Sequence, residues 1–194
     1  MNEKFFDLSK EKQDRIINAV LKVFTLEGYA HAATDDMVKE AGISKGLLFH
    51  YFGTKLGAYR FVCSYVLRYL RFELGEELFA GFETPVEVTG AVLKGCGNLL
   101  RTYPWSLLFL RGCVREESEE ALAATAEERS AVSGIIASMR RKAIVYEGDV
   151  TRLWKTMDYT LMGLMEDQLR SGDFNADRYL AEAGSYLEVF GKKA

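Results

Sequence analysis

Apolar residues recur along this chain with the spacing of helices, and no long run alternates as the residues of a strand do. The clearest case lies near the start, where positions i, i+3, i+4 and i+7 are Ile17, Val20, Leu21 and Phe24. Ser9 is suited to cap this first helix, and Gly28 is suited to end it with a left-handed backbone. The pattern therefore predicts an all-α chain.

Capping residues and glycines divide the following segment into short helices. Thr34 is predicted to cap a second helix that Gly42 ends, and Ser44 is predicted to cap a third. Gly53 separates the third helix from a long fourth helix, which is predicted to run to about Gly81.

The rest of the chain is also predicted to be helical. Pro85 and Pro104 are expected in the first turns of helices, where the missing N–H costs little. Further helices are predicted over residues 118–146, 151–170 and 175–190. The whole chain is predicted to contain about nine helices, with no internal repeat and no low-complexity linker.

Composition agrees with a folded protein and adds one local feature. The chain has 194 residues, of which 48% are hydrophobic, and a formal net charge of −3. Between Lys39 and Arg60 there are two further basic residues, Lys45 and Lys55, against the single acid Glu40. A basic segment in an acidic protein indicates a polyanion bound at one end.

Cysteine spacing and hydropathy indicate the compartment. Cys63, Cys96 and Cys113 are widely spaced, which favours reduced thiols over disulfides or a zinc site. The first residues lack the apolar core of a signal peptide, and charges interrupt every apolar stretch short of a membrane span. We therefore expect a cytoplasmic protein without a membrane partner.

Two short helices joined by a glycine turn form the pattern of a helix-turn-helix unit over residues 34–52. The angle between the helices is predicted to be sealed by Val38, Ala41, Ile43, Leu48 and Phe52. The residues between these positions are predicted to face outwards: Lys45, Gly46, Leu47, Phe49, His50 and Tyr51. Such a set suits the major groove of duplex DNA. The alternative is a helical hairpin whose aromatic residues complete a core.

The segment "AGISKGLLFHYFGTK" resembles the sequence typical of the TetR family of bacterial transcription regulators, which has the form AGVSKGTLYHYFxSK. The match extends upstream through Thr34, Asp36 and Met37, and it covers roughly residues 9–60. The resemblance implies a homodimer whose amino-terminal domains bind successive major grooves of a double-stranded DNA operator. It also implies a pocket for a small-molecule effector among helices four to seven, and a dimer bundle from the last two helices. The domain prediction is 1–55 for DNA binding and 56–194 for effector binding and dimerisation.

The resemblance also implies roles for individual residues. Thr34 matches a position where a threonine contacts phosphate, and Tyr51 and Lys55 match two further phosphate-binding positions. The base-facing positions of the recognition helix are matched by Lys45, Gly46, Leu47 and His50. Ser44 and Phe49 complete the predicted DNA-binding set.

Two residues in the recognition helix depart from the family pattern. Leu47 stands where the family has threonine, so it can offer a base only an apolar contact, such as one to a thymine methyl group. Phe49 stands where the family has tyrosine, so it has no hydroxyl to donate to phosphate.

The carboxy-terminal part is rich in aromatic and thioether side chains, which suit either an ordinary core or a pocket for an apolar ligand. The predicted effector-binding residues are Tyr65, Tyr69, Phe72, Tyr103, Trp105, Phe109, Trp154, Asp158 and Met162. Asp158 shares a helix face with apolar residues, so its carboxylate needs either an internal partner or a cationic ligand. The effector is therefore predicted to be largely apolar, with a cationic group as an option.

The last two predicted helices carry the residues expected at a dimer interface. One apolar stripe in the final helix is formed by Tyr179, Ala183, Tyr186, Leu187 and Phe190. Gly163, in the helix before it, would allow another helix to cross closely. The alternative is that both helices cover only the core of their own subunit.

No enzymatic site is predicted. His31 and His50 are the only histidines, and neither has a metal ligand or a nucleophile at suitable spacing, so no metal and no cofactor are expected. The preferred function is a TetR-type repressor that an effector releases from its operator. The alternatives are a structural DNA-binding protein of the same fold without an inducer, and an all-helical enzyme or carrier with a coincidental helix-turn-helix.

Overall fold

The structure is a computed structural model of the 194-residue chain, and the description covers residues 3–75, 82–142 and 148–191. Within these ranges every regular element is helical, which confirms the all-α prediction. A 3-10 turn at Glu3–Phe5 comes first. The α-helices are α1 (Lys10–His31), α2 (Thr34–Ala41), α3 (Lys45–Phe52), α4 (Lys55–Leu74), α5 (Pro85–Gly95), α6 (Gly97–Thr102), α7 (Ser106–Val114), α8 (Glu119–Ala124), α9 (Ala126–Lys142), α10 (Val150–Arg170) and α11 (Ala176–Gly191).

The eleven α-helices of the described ranges exceed the predicted nine because two predicted helices are interrupted. Cys96 leaves the helical conformation between α5 and α6, and Thr125 does so between α8 and α9. The Thr125 hydroxyl donates a hydrogen bond to the carbonyl of Ala121 at 2.8 Å, and the Thr125 N–H donates to the same carbonyl at 3.1 Å. The helix ends predicted near Gly81 and Tyr146 lie outside the described residues.

Most predicted helix boundaries in the amino-terminal region are confirmed. Gly28 has a positive φ of 69° and interrupts α1, so only a short final turn follows it. Gly42 ends α2 in the left-handed conformation, with φ 62° and ψ 42°. Gly53, with φ 74°, separates α3 from α4. These backbone angles favour glycine, because a Cβ is disfavoured there.

One of the two prolines lies in the first turn of a helix as predicted, and the other does not. Pro85 is the first residue of α5, and Thr84 and Glu87 form a reciprocal capping box around it. Pro104 lies in the turn before α7, which begins only at Ser106, so its predicted place in the first helical turn is wrong. Ser9 stands at the cap position of α1, but its side chain makes no capping hydrogen bond.

By packing, the chain divides into two compact units. The first unit comprises the described residues of Met1–Tyr69 and Trp105–Val132, and the second comprises those of Leu70–Pro104 and Ser133–Ala194. A helix-turn-helix and two helices from the middle of the chain therefore share the first unit. The functional boundary at residue 55 concerns DNA contact rather than packing, and it stays a prediction.

The first unit has a core of packed aromatic rings. Phe24 on α1 makes an edge contact with Tyr59 on α4, with 4.9 Å between the ring centroids. Tyr59 in turn packs against Phe109 on α7 at 5.5 Å. All three side chains are buried, so α1, α4 and α7 are joined by large apolar contact areas.

The second unit packs α11 against α5, α6 and α10. Its buried apolar residues include Val88, Leu99, Tyr103, Met157, Leu161, Met165, Tyr179, Ala183 and Leu187. Gly97 on α6 allows close packing. A Cβ there would lie 3.5 Å from Leu180 on α11 and 3.3 Å from the Arg101 guanidinium.

Gly57 lies in the first turn of α4, where the helix passes very close to the end of α3. A Cβ built on Gly57 would lie 1.9 Å from the carbonyl oxygen of Phe52, a separation that two atoms cannot adopt. The absence of a side chain at residue 57 therefore sets how closely α4 can follow the recognition helix.

We predict that Gly57→Ala lowers the free energy of unfolding by about 1–3 kcal/mol, the usual cost of overpacking, because the added methyl must displace backbone. Urea denaturation followed by circular dichroism measures the change. Gly134→Ala in α9 is the matched control, since a Cβ there meets no described atom within 4 Å. Equal stability of the two variants would contradict the prediction.

Candidate nucleic-acid interface

The recognition helix α3 begins at a well-formed cap. Gly42 turns the chain at the end of α2, and Ser44 then accepts a hydrogen bond from the backbone N–H of Leu47 through its hydroxyl oxygen at 3.2 Å. Arg15 on α1 donates a hydrogen bond from Nε to the carbonyl of Ala41 at 3.0 Å, which satisfies the end of α2. The turn is thus fixed from both sides.

The angle between α2 and α3 is sealed largely as predicted. Ala41, Leu48 and Phe52 are buried. Val38 and Ile43 are only half-buried, so they lie at the edge of this contact. The apolar side of α3 therefore faces α2 and the body of the first unit.

The opposite side of α3 faces outwards. Lys45, Gly46, Phe49 and His50 are exposed, as predicted, and Leu47 is half-buried. The Lys45 ammonium lies 2.8 Å from the Asp35 carboxylate in the first turn of α2. Both groups of this ion pair are well exposed, so it is weak and can exchange for another anion.

Thr34 has a different local role from the predicted one. It is the first residue of α2, and the cap position belongs to Ala33, which offers no side-chain acceptor. The Thr34 side chain is half-buried. Asp35 and Asp36 occupy the first turn, where carboxylates interact favourably with the helix dipole.

Tyr51 does not face outwards, so this part of the prediction is wrong. Its side chain is only 6% exposed, and its ring packs edge-on against Phe5 with 5.5 Å between the centroids. Phe5, in the 3-10 turn, is fully buried and also contacts Phe52 and Phe61 at 5.3 and 5.1 Å. The amino-terminal 3-10 turn thus buries Tyr51, which the pattern of α3 alone predicts to be exposed.

Lys55 is also placed differently from the prediction. Its ammonium donates hydrogen bonds to the backbone carbonyls of Tyr29, Ala30 and Ala32 at 2.8, 3.3 and 3.3 Å. It also lies 4.6 Å from the centre of the Tyr29 ring, within cation–π distance. An ammonium with these partners stabilises the turn between α1 and α2, and it is not a free phosphate ligand.

Tyr29 joins this turn to a distant part of the chain, a role that was not predicted. Its backbone N–H donates to Glu116 at 3.3 Å, and its hydroxyl donates to Glu120 at 2.9 Å. Burial and then the Glu120 hydrogen bond raise the pKa of Tyr29 to about 12, so the hydroxyl keeps its proton. No sequence signal pairs residues that lie 87 positions apart.

The predicted effector residues fall into both units. In the first unit, Trp105 and Phe109 are buried, and Tyr65 and Tyr69 are half-buried. In the second unit, the placement ranges from buried to exposed. Tyr103 is buried, Trp154, Asp158 and Met162 are half-buried, and Phe72 is 83% exposed. Asp158 has interactions within the protein, which fits the need to compensate a partly buried carboxylate.

The first unit contains a cleft of about 320 Å³ near the end of α1. Its lining includes aromatic rings, the backbone around Gly28, acidic side chains and Cys113. Phe109 is the predicted effector residue that lines it. The volume lies at the lower end of the range for small-molecule sites.

The predicted dimer stripe on α11 is partly buried within the second unit, and its place in a dimer interface stays a prediction. Tyr179, Ala183 and Leu187 are buried in the second unit, and the Tyr179 hydroxyl donates to the carbonyl of Leu161 at 3.2 Å. Their spacing of four residues keeps them on the side that packs inward. Tyr186 is exposed and Phe190 half-buried. Gly163 on α10 is half-buried, and a Cβ there would meet no described atom within 4 Å.

Residues 3–75, 82–142 and 148–191 contain no group of three or more His, Cys, Asp or Glu side chains arranged to hold a metal ion. None of the helices in the same ranges combines the length and apolar character that crossing a membrane requires.

Comparison with known sequences identifies the amino-terminal region. Residues 16–57 match the family model described as "Bacterial regulatory proteins, tetR family". Over 48 residues the chain is 38% identical to the uncharacterized HTH-type transcriptional regulator TtgW of Pseudomonas putida. That alignment covers 25% of this chain and 36% of TtgW, so the chain spans about a third of the curated relative that it matches.

Comparison with solved structures covers almost the whole chain. The TetR family regulator PfmR from Thermus thermophilus aligns over 90% of this chain and 96% of its own, with a TM-score of 0.54 and 22% identity. FadR from Bacillus subtilis, in complex with stearoyl-CoA, aligns over 90% and 95%, with a TM-score of 0.55 and 18% identity. At these identities the likeness concerns the fold.

The matched region coincides with the helix-turn-helix described above, and the helical fold around it is one that TetR regulators adopt. The matched family and the matched relative are transcriptional regulators and not enzymes. The amino-terminal region of the chain, residues 16–57, therefore matches the TetR family of bacterial transcriptional regulators.

Proposed function

We propose that this regulator is a homodimeric repressor that binds an operator through α3 and is released from it by a largely apolar small molecule. The observation that carries the proposal is the outward face of α3. It presents a cation, a glycine, an aromatic ring and an imidazole on a short helix whose opposite side is buried.

Gly46 supports DNA as the partner of this face. A Cβ at Gly46 would meet no described atom within 4 Å, and the backbone there is helical, so nothing within the described protein requires a glycine. A missing side chain at the tip of an exposed helix instead allows close approach to an external surface. The major groove of B-DNA is wide enough to admit such a helix.

The exposed side chains around Gly46 suit different parts of the duplex. Lys45 can exchange its exposed pairing with Asp35 for a phosphate or a guanine edge. His50 can bond to a base edge, and Phe49 and Leu47 can contact thymine methyl groups. Lys55 is excluded from this set because its ammonium holds three carbonyls.

We predict that Lys45→Ala and Lys55→Ala have different effects. Lys45→Ala should weaken operator binding and lower the salt dependence of log K by about one if Lys45 neutralises one phosphate. Lys55→Ala should leave that slope unchanged and lower the urea midpoint, because three carbonyls lose their donor. The operator is taken from selection on random duplexes, and binding is measured by fluorescence anisotropy at several salt concentrations. A lower salt dependence of log K for Lys55→Ala would contradict this prediction and would show that Lys55 contacts phosphate.

Dimerisation is proposed to use the outward sides of α10 and α11. Tyr159 on α10 and Tyr186 and Val189 on α11 are exposed, and Val189 is 65% exposed. Large apolar groups on the last two helices suit a partner helix pair from a second subunit. A two-fold dimer would also present two recognition helices to equivalent half-sites.

We predict that Val189→Glu yields a monomer that keeps its helicity but binds the operator at least about tenfold more weakly, because one recognition helix then acts alone. Sedimentation equilibrium gives the mass, and anisotropy gives the affinity. Ile136→Glu replaces an exposed apolar residue on α9 and should remain dimeric. A dimeric Val189→Glu protein with unchanged affinity would rule out this surface.

The effector is proposed to be apolar, with an acyl chain as the first class to test. The support is at the level of fold, since the B. subtilis FadR of the same fold is in complex with stearoyl-CoA. The second unit adds aromatic and thioether side chains, including Trp154 and Met162, that are only half-buried. Such side chains adapt to apolar ligands.

We predict that stearoyl-CoA lowers operator affinity by about 5- to 150-fold, the usual range for coupled sites, while coenzyme A alone has no effect. Anisotropy titrations with the selected operator measure the change, and thermal unfolding reports binding independently. If acyl chains of any length change neither quantity while DNA binding is intact, the protein acts as a DNA-binding protein of this fold without an acyl effector.

A further inference from the structure

Two of the three cysteines meet in the core of the first unit. Cys63 on α4 and Cys113 on α7 are buried, and their sulfur atoms lie 3.8 Å apart. The two residues are 50 positions apart in the sequence, so the fold alone brings them together. Sulfurs at this distance are not bonded, but they need to approach only to about 2.05 Å to form a disulfide.

The two thiols differ in their surroundings. Cys113 Sγ accepts hydrogen bonds from the Tyr59 hydroxyl at 3.3 Å and from the Cys63 thiol at 3.8 Å. The hydrogen bond to Cys113 and then burial raise the pKa of Cys63 well above its ordinary value, so Cys63 keeps its proton. Cys113 lines the cleft near the end of α1 and Cys63 does not, so Cys113 is the thiol that a small oxidant meets first and Cys63 is the second thiol.

The cleft near the end of α1 supplies a path to this pair. Cys113 and Tyr59 are among its lining residues, and they are joined there by Phe109 and the backbone around Gly28. A volume of about 320 Å³ exceeds that of a small oxidant many times over. The cleft therefore lets a small molecule reach a sulfur that is otherwise enclosed.

We propose that Cys63 and Cys113 form a redox-active dithiol that a small hydroperoxide oxidises to a disulfide, and that this oxidation weakens operator binding. The site would make the regulator sensitive to oxidants as well as to its effector. Its consequence for DNA rests on the proposed operator binding, whereas the disulfide itself does not.

The chemistry balances with the hydroperoxide as the only oxidant. The Cys113 sulfur attacks one peroxide oxygen as its thiol proton leaves, the O–O bond breaks, and the departing alkoxide takes up that proton to become an alcohol, or water from hydrogen peroxide. Cys63 sulfur then attacks the sulfenic sulfur, forms the S–S bond and expels hydroxide, which leaves as water with the Cys63 proton. Two thiols and one hydroperoxide give one disulfide, one alcohol and one water.

The disulfide would act on the recognition helix through α4. Halving the separation of the sulfurs draws Cys63 on α4 towards Cys113 on α7. Helix α4 starts at Lys55, whose ammonium holds the turn before α2, and Gly57 fits tightly beneath the end of α3. A displacement of α4 therefore reaches both ends of the helix-turn-helix.

The test uses the reduced 194-residue protein and hydrogen peroxide. We expect peptide mapping to find a Cys63–Cys113 disulfide, and the intact mass of the monomer to fall by two hydrogen atoms. Operator affinity should fall about tenfold, which lies within the usual range for coupling between two sites. It should recover after treatment with dithiothreitol. Cys96→Ala is the matched control, since Cys96 is a buried thiol in the second unit, and it should respond like the wild type.

Cys63→Ala and Cys113→Ala should bind the operator when reduced and lose the reversible response to peroxide. The comparison of reduced and peroxide-treated wild-type protein uses no variant, so it does not depend on the folding of a substituted protein. Thiols that stay reduced in the folded wild type, or a disulfide that involves Cys96, would overturn the proposal. A Cys63–Cys113 disulfide without any change in operator affinity would overturn the sensing role. Failure of the reduced wild type to bind any duplex would instead overturn the proposed function.

Discussion

The position of the DNA-binding helices depends on one ammonium group. Lys55 stands at the start of α4 and holds the carbonyls of Tyr29, Ala30 and Ala32, which the end of α1 leaves without helical partners. A charge-assisted hydrogen bond is stronger than a neutral one, and here three carbonyls share one donor group. The turn that leads into α2 is thereby attached to the helix that follows α3, so the helix-turn-helix is held at both of its ends.

The same turn is also held from the middle of the chain. Glu116 and Glu120 accept hydrogen bonds from the backbone and the hydroxyl of Tyr29. The carboxylates, the tyrosine and the lysine thus form one connected polar group around the end of α1. Its members satisfy each other, which is the condition under which a partly buried polar network stabilises a structure.

Local chemistry predicted much of the amino-terminal region from sequence. Gly42, Ser44 and Gly53 mark their helix ends because positive φ angles and side-chain caps are properties of single residues. The break at Thr125 carries no glycine or proline, so the helical pattern continues through it. The break at Cys96 lies between Gly95 and Gly97, and the helical pattern spans these glycines as well. The motif predicts outward roles for Tyr51 and Lys55, because a motif indicates residue types and not their neighbours. Phe5 and the carbonyls of the first turn lie outside the recognition helix, and they decide where both side chains go.

The first unit is assembled from two separate segments of the chain, and this has a consequence for how the protein folds during synthesis. This unit contains the DNA-binding helices of the first 69 residues together with residues 105–132, so the chain must leave and return before the unit is complete. Contacts between segments so far apart close large loops and form late in folding. During synthesis the helix-turn-helix would therefore emerge from the ribosome well before its partners α7 and α8. A fragment that ends after α4 would lack Glu116, Glu120 and Phe109, and it would expose the aromatic core to solvent and to aggregation.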